Sequence, residues 1–456
     1  MSTPQTITII RDEPRGELPI RIQPFEAWRF DPDFVGDAAA CASPPYDQFD
    51  TAMIARLESQ SPYNVARIVK APPGGGPDAT GTHYQKANEL LAQWIDAGVL
   101  SSDSGPGFYP YSQTYTVGGQ RLTRRGFIAL GDVRDTGLFT HEETHAHVRE
   151  DRARLRQATA ADFGLIFMIY SDPAQEIDRI LRDCEQGGPL VQAEQPDGST
   201  HRLYRCGDPA RAERVTHLMA ARECVIADGH HRTGAAFDTW KQTGDERWAY
   251  AMMAFFNADA PGMTVLPIHR ALSFKPSWSF PRFLERLSDA FDVTDVPLAD
   301  STPADTAALL EGSIKDRSRS ERVAFGMVGP QKGIGYLLEA GPERLSRWNW
   351  PAAMHPACRL LPTAIFETGV LRASLGYSDD QIDRGERLNF PKDAAELVAS
   401  VQSGKFPLGF ILPPTGLDSI FEVARLRQNL PQKSTFFFPK LLTGLVVHRI
   451  GAERSD

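Results

Sequence analysis

Segments with the two-residue period of a strand and segments with helical period alternate along the whole chain, and no unit repeats. That alternation sets the expected fold class as α+β, a mixed α/β protein. A helix is expected over 82–100, where Ala87, Leu90, Leu91, Trp94 and Ile95 recur at helical spacing and Gly98 follows. Strands are expected over 109–117 and 121–133 around a Gly118-Gly119 turn, and the continuous apolar run 163–170 suits a buried strand. Helix returns over 173–184 and 209–221. A short strand at 224–227, a helix over 233–242 and two β-like runs, 249–257 and 264–272, follow. Beyond them, strand patterns at 322–328, 334–339, 408–412 and 435–438 are separated by helical ones.

A chain of 456 residues suggests about two or three domains. Residues 1–20, with Arg11, Asp12, Glu13, Pro14 and Arg15, read as an extension with a marginal first strand. An N-terminal α/β domain is expected over 21–291, a Pro- and Asp-rich linker over 292–306, and a C-terminal α/β domain over 307–456. With 41% apolar and 23% charged residues the chain is neither disordered nor collagen-like. Lys plus Arg total 49 against 58 Asp plus Glu, which disfavours a nucleic-acid coat or an anionic-membrane binder. The five cysteines are scattered without a CxxC pair, so neither a disulfide framework nor a zinc ribbon is signalled. No signal-peptide pattern and no run of 18 apolar residues is present, so the expected compartment is the cytoplasm.

The most informative string is Ala227-Asp228-Gly229-His230-His231-Arg232-Thr233, between an apolar strand and an amphipathic helix. A strand, a Gly turn and a helix start present backbone N–H groups and the positive end of the helix dipole to an anion. Arg232 adds a fork of donors suited to phosphate, and His230 and His231 add hydrogen bonds or charge. Asp228 would orient a histidine or hold a magnesium ion. The plainer alternative is an Asp-Gly turn with solvated histidines.

Thr140-His141-Glu142-Glu143-Thr144-His145 matches the H-E-x-x-H pattern of zinc proteases. The stretch is polar on all sides and no third ligand follows, so zinc chemistry is poorly supported. Glu142 could instead act as general base toward a hydroxyl, with His141 beside it. A solvated acidic loop capping a helix near Arg149 fits equally well. Pro72-Pro73-Gly74-Gly75-Gly76-Pro77 lacks the following Gly-Lys-Ser/Thr of a phosphate loop and reads as a flexible loop. Lys433 and Lys440 flank the aromatic strand Phe436-Phe437-Phe438, either to face an anion or to guard a strand edge next to Pro439.

Taken in order, these strings resemble the bacterial and archaeal family described as domain of unknown function 1015. The segments that carry the resemblance begin with Pro24-Phe25, Arg29-Phe30-Asp31, Pro44-Pro45-Tyr46-Asp47 and Ser61-Pro62-Tyr63-Asn64. His141-Glu142-x-Thr144 with Asp151-Arg152, Ile226 to Arg232, Pro267-x-His269-Arg270, Pro431 to Thr435 and Thr443-Gly444-Leu445 complete them. The family is similar to the ParB/sulfiredoxin-like superfamily, which implies a nucleotide-binding core with additional α/β elements. Free-serine kinases of that superfamily carry a similar Asp-Gly-His-His-Arg box. The resemblance implies phosphate and magnesium binding by Asp228, Gly229, His230, His231 and Arg232, and Glu142 as the base. Thr233 stands where the family more often has an aromatic residue, and Glu143 where a basic one is common.

The expected function is therefore a nucleotide-dependent small-molecule kinase that moves phosphate from ATP or ADP to a hydroxyl such as that of free serine. Its expected cofactors are the nucleotide and Mg2+; its expected partner is the small-molecule acceptor, with no nucleic acid and no membrane. Catalytic roles fall to Glu142, His141 and Asp228, and further phosphate contacts to Arg152, Lys433 and Lys440. Two alternatives stand beside it: a nucleotide-binding regulatory protein without turnover, and a zinc hydrolase built on His141, Glu142 and His145.

Overall fold

Eight strands make the first sheet of the computed structural model: β1 (Ile22–Gln23), β2 (Tyr109–Val117), β3 (Gln120–Asp132), β4 (Ile166–Tyr170), β5 (Val191–Glu194), β6 (Thr200–Leu203), β7 (Cys224–Asp228) and β8 (Tyr250–Asn257). The structure describes residues 20–72, 76–134, 146–274, 278–298, 301–318, 322–352 and 354–451. The strand order is β7-β4-β8-β3-β2-β6-β5, with β1 also on β3. Only β8 and β4 run parallel among these pairs; the others are antiparallel.

Both faces of this sheet are covered, which is why its central strands read as unbroken apolar runs. Along β8, Met252, Ala254 and Phe256 enter one core with Tyr109, Phe167 and Val225. Ala251, Met253 and Phe255 enter the other, with Met168, Ile226 and the helical residues Ile177, Leu181 and Val215. Each of the larger ones, Met, Phe, Ile, Leu or Val, contributes roughly 1.5–3 kcal/mol when fully buried. The first core also takes in Phe437, Leu441, Leu442 and Leu445, so the C-terminal segment packs directly on the sheet that carries the Asp228 turn.

The run 264–272, expected as one strand, is two: β9 (Thr264–Leu266) and β10 (Arg270–Leu272). Pro267 has no N–H to continue a ladder, and the chain changes sheets across Ile268 and His269. β9 pairs with the C-terminal strand Phe436–Phe438. β10 joins a second, antiparallel sheet with β11 (Asp292–Pro297), β12 (Val323–Val328), β13 (Ile334–Ala340), β14 (Leu388–Asn389) and β15 (Leu408–Ile411), in the order β11-β13-β12-β15-β10-β14. The stretch 292–306, composed like a linker, holds β11 and the first turn of a helix, α1 (Pro303–Arg317). This edge strand points Val293 and Val296 to opposite faces, into different cores, and Thr302 with Asp305 closes a capping box.

The helix expected over 82–100 ends at Asp96, and Leu100–Ser102 pairs with Trp28–Phe30. His448–Arg449 returns to pair with Ala161–Asp162. Cys184 and Cys206 form a disulfide, where their scattered spacing signalled none. Among the described residues no helix is long and apolar enough to cross a membrane.

Candidate anion-binding site

Strand β7 ends in an irregularity between Ile226 and Asp228, and the chain then turns through Gly229 into the helix His230–Thr243. Gly229 has φ +96°, and a Cβ there would fall 2.9 Å from Arg232 Nη2 and 3.3 Å from the Ile166 Cα. The backbone conformation requires glycine, and a side chain there would also push the Arg232 guanidinium aside. Its N–H donates to Asp228 Oδ1 at 2.9 Å, so the turn is fastened by the acidic residue before it. The helix N-terminus that follows is the positive end of a 14-residue dipole.

Three cations converge on this turn. Lys440 Nζ donates to Asp228 Oδ2 at 2.7 Å. Arg232 folds back over Gly229, and its Cδ lies 3.4 Å from where a Cβ on Gly164 would be. Its Nε is buried and finds no hydrogen-bond partner among the described residues. Arg152 stacks on the Tyr46 ring at 4.3 Å, and Arg232 lies 6.0 Å from the same ring. The Tyr46 hydroxyl is pushed up by burial, which the two arginines partly offset.

The electrostatics follow from this crowding. Burial alone would raise the Asp228 carboxyl, but Lys440 and Arg232 outweigh it and hold the group well below the usual carboxylate range. Burial pushes His230 down to about 4, and Asp228 only partly restores it. His230 is therefore a neutral hydrogen-bonding group at pH 7, while His231 and Arg232 are half-buried on the same first turn. Arg152 lines the same cavity as Tyr46, Gly164 and Arg232. Its donors are engaged: Nε with Asp151 at 2.7 Å and Nη1 with the Val69 carbonyl at 2.7 Å. Asp151 in turn accepts from the Tyr84 hydroxyl at 2.8 Å.

Lys440 is placed by a buried polar clamp that carries no motif. Gln113 Nε2 donates to the Lys440 carbonyl at 3.0 Å. Arg124, fully buried, donates to the Phe438 carbonyl at 3.2 Å, to the Pro439 carbonyl at 2.6 Å and to Gln113 Oε1 at 3.0 Å. Its guanidinium also lies over Phe167 and Phe256. Three successive carbonyls, 438 to 440, are thus held by one pair from β2 and β3. Lys392, a further cation that sequence reasoning missed, has its ammonium 4.4 Å from the Phe436 ring, and Lys440 lies 5.3 Å from the same ring. Lys433 is exposed, with φ +58°.

The structure therefore brings Asp228, Gly229, His230, His231, Arg232 and Lys440 together, with Arg152 across Tyr46. Glu142, His141 and the rest of the H-E-x-x-H string lie outside the described residues, as do residues 73–75 of the glycine loop. For Mg2+, Asp228 offers one carboxylate, with one oxygen on Lys440 and the other on the Gly229 N–H. Among the described residues no group of three or more His, Cys, Asp or Glu side chains could hold a metal ion. The described residues do not form a magnesium cage.

A family model described as "Protein of unknown function (DUF1015)" matches residues 22–359. No curated protein matches the chain. Among solved structures, a free serine kinase in complex with AMP is similar at 11% identity and a TM-score of 0.34, covering 70% of this chain and 92% of that one. A point mutant of a free serine kinase in complex with ADP gives 10% identity and 0.34 over the same shares. A conserved hypothetical protein from Pyrococcus furiosus gives 13% identity and a TM-score of 0.33, covering 69% of this chain and 92% of its own.

Proposed function

The chain belongs to the family described as protein of unknown function DUF1015, and from that premise we propose that it is a nucleotide-dependent small-molecule kinase. The donor would be ATP or ADP and the acceptor a hydroxyl compound, free serine being the first to test. The observation that carries this reading is the convergence of Lys440 and Arg232 on Asp228 at the head of the helix His230–Thr243. Phosphoryl transfer asks little covalent chemistry of a protein; it asks for positioning and for neutralised charge. Arg232, with a buried Nε that finds no partner among the described residues, is suited to a phosphate oxygen. In the transfer, the acceptor oxygen forms a bond to the terminal phosphorus as the bond to the nucleotide oxygen breaks. The hydroxyl proton goes to a base, the role that the family resemblance implies for Glu142.

The test is thermal-shift titration of the full chain with AMP, ADP and ATP, with and without Mg2+, repeated on Arg232→Ala. A ligand that binds only the folded state raises the midpoint by mass action. The expected result is a nucleotide shift in the wild type that is lost in Arg232→Ala, whose own midpoint without ligand stays close to wild type. Phosphate transfer to serine is then measured directly. No shift with any nucleotide would overturn the reading, and binding without transfer to any hydroxyl acceptor would move it to a regulatory nucleotide-binding role.

A further inference from the structure

Resting on the nucleotide reading above, we propose that Lys392 and Lys440 form at Phe436 a seat for a condensed phosphate chain, the terminal phosphates of a nucleoside di- or triphosphate. The chain would then prefer these donors to a monophosphate. Lys392 follows a short strand, β14, that pairs with β10, and the carbonyl of Pro391 accepts from the His269 N–H at 2.8 Å. Four residues before β10, β9 ends on Leu266, which pairs with Phe436. The second sheet thus delivers Lys392 to the ring that Lys440 already touches. Arg270 Nη2, at the start of β10, donates to the Lys433 carbonyl at 3.1 Å and to that of Gln432 at 3.3 Å, which ties the loop before Phe436 to the second sheet.

Charge decides what the cluster is for. The ammoniums of Lys440 and Lys433 act on Lys392 as like charges, opposed by Asp47 and Asp228, and Asp228 is already paired with Lys440. Desolvation first, and Lys440 next, push the Lys392 ammonium below its ordinary value. Positive groups crowded around one ring repel one another until an anion joins them. A terminal phosphate carries about −1.5 to −2, and a second phosphate adds to it, whereas an acceptor carboxylate brings a single charge. Two ammoniums on one ring, one of them reaching the Asp228 turn, match the phosphate chain better. Lys392 is exposed, so the seat opens outward from Lys440 and the Asp228 turn, where a tail longer than one phosphate would extend.

The experiment is calorimetric titration of the full chain with AMP, ADP, ATP, serine and inorganic tripolyphosphate, on wild type, Lys392→Gln and Lys392→Arg. Lys392 is an exposed loop residue, and the unliganded thermal midpoint checks that each variant is folded. Lys392→Gln should weaken ADP, ATP and tripolyphosphate by about tenfold, the scale of one charge-assisted contact. AMP should stay within about twofold, and Lys392→Arg should restore most of the loss. Equal loss for AMP and ADP, no loss at all, or a loss confined to serine would overturn the seat while leaving nucleotide binding intact. Tripolyphosphate binding that depends on Lys392, without binding of any nucleotide, would keep the seat and overturn the nucleotide reading. A wild type that binds none of these compounds would overturn both.

Discussion

Replacing Arg124 with methionine tests whether a buried polar clamp positions the site. The substitution keeps an apolar stem between Phe167 and Phe256 and removes the guanidinium. It leaves three buried acceptors without their donor: Gln113 Oε1 and the carbonyls of Phe438 and Pro439. Hydrogen bonds to a charged group contribute about 1.5–3 kcal/mol each, so roughly 5–9 kcal/mol of interaction is lost. Against this, burial lowers the Arg124 guanidinium from 12.5 to about 10. At about 1.36 kcal/mol per pH unit, removing the charge relieves roughly 3 kcal/mol. The expected net loss is about 2–6 kcal/mol, read by urea denaturation at pH 7.5. The same variant should weaken nucleotide binding by more than Lys440→Ala does, because Lys440 and the strand that carries Phe436 lose their anchor together. Buried charges in other proteins can be replaced by apolar groups with no loss of stability. Arg124→Met at or above wild-type stability, with unaltered nucleotide affinity, would refute the clamp.

Two further predictions concern pH. Burial raises the Glu367 carboxyl from 4.5 to about 7, although Arg270 and Arg372 oppose it; because the folded state then holds the proton more tightly, this group's stabilisation is complete below about 4.5 and is lost as pH rises toward 7. Glu367→Gln should therefore stabilise the chain by up to about 3 kcal/mol at pH 8 and hardly at all at pH 4, and an equal gain at both would contradict it. Burial pushes His201 down to about 3 and His269 down to about 4; each is neutral when folded, so its contribution is present above about 6.5 and falls away as pH drops through the folded value. Relative to wild type, His201→Gln should be most destabilised at pH 7 and should lose part of that deficit by pH 5, since Tyr111 and Ser199 lose their histidine partner at either pH. A deficit that grows on acidification would show that His201 is charged in the fold.

What could be read from sequence was local. The strand Cys224–Asp228, the glycine at φ +96° and the helix from His230 were legible because apolar period, an Asp-Gly pair and an ionisable cluster are consecutive in the chain. The hairpin of β2 and β3 was legible for the same reason, through Gly118 and Gly119. The division of 264–272 between two sheets was not, because Val265 and Ala271 suit a strand equally well and only pairing partners separate them. Arg124 and Gln113 lie among ordinary polar positions of long strands, and nothing in their spacing shows that they are buried.

The sequence by itself determined the mixed α/β class, the family and the Asp228–Arg232 turn, since each rests on short-range pattern or on ordered strings. Only the tertiary structure decided which cations reach that turn. Lys440 is 212 positions from Asp228, and its approach depends on β9 pairing with Phe436–Phe438 and on carbonyls held by Arg124. Lys392 arrives from the second sheet, through the pairing of β14 with β10. Such contacts arise from burying both faces of one sheet and from satisfying its interior polar groups, conditions that the whole chain meets together and no segment meets alone.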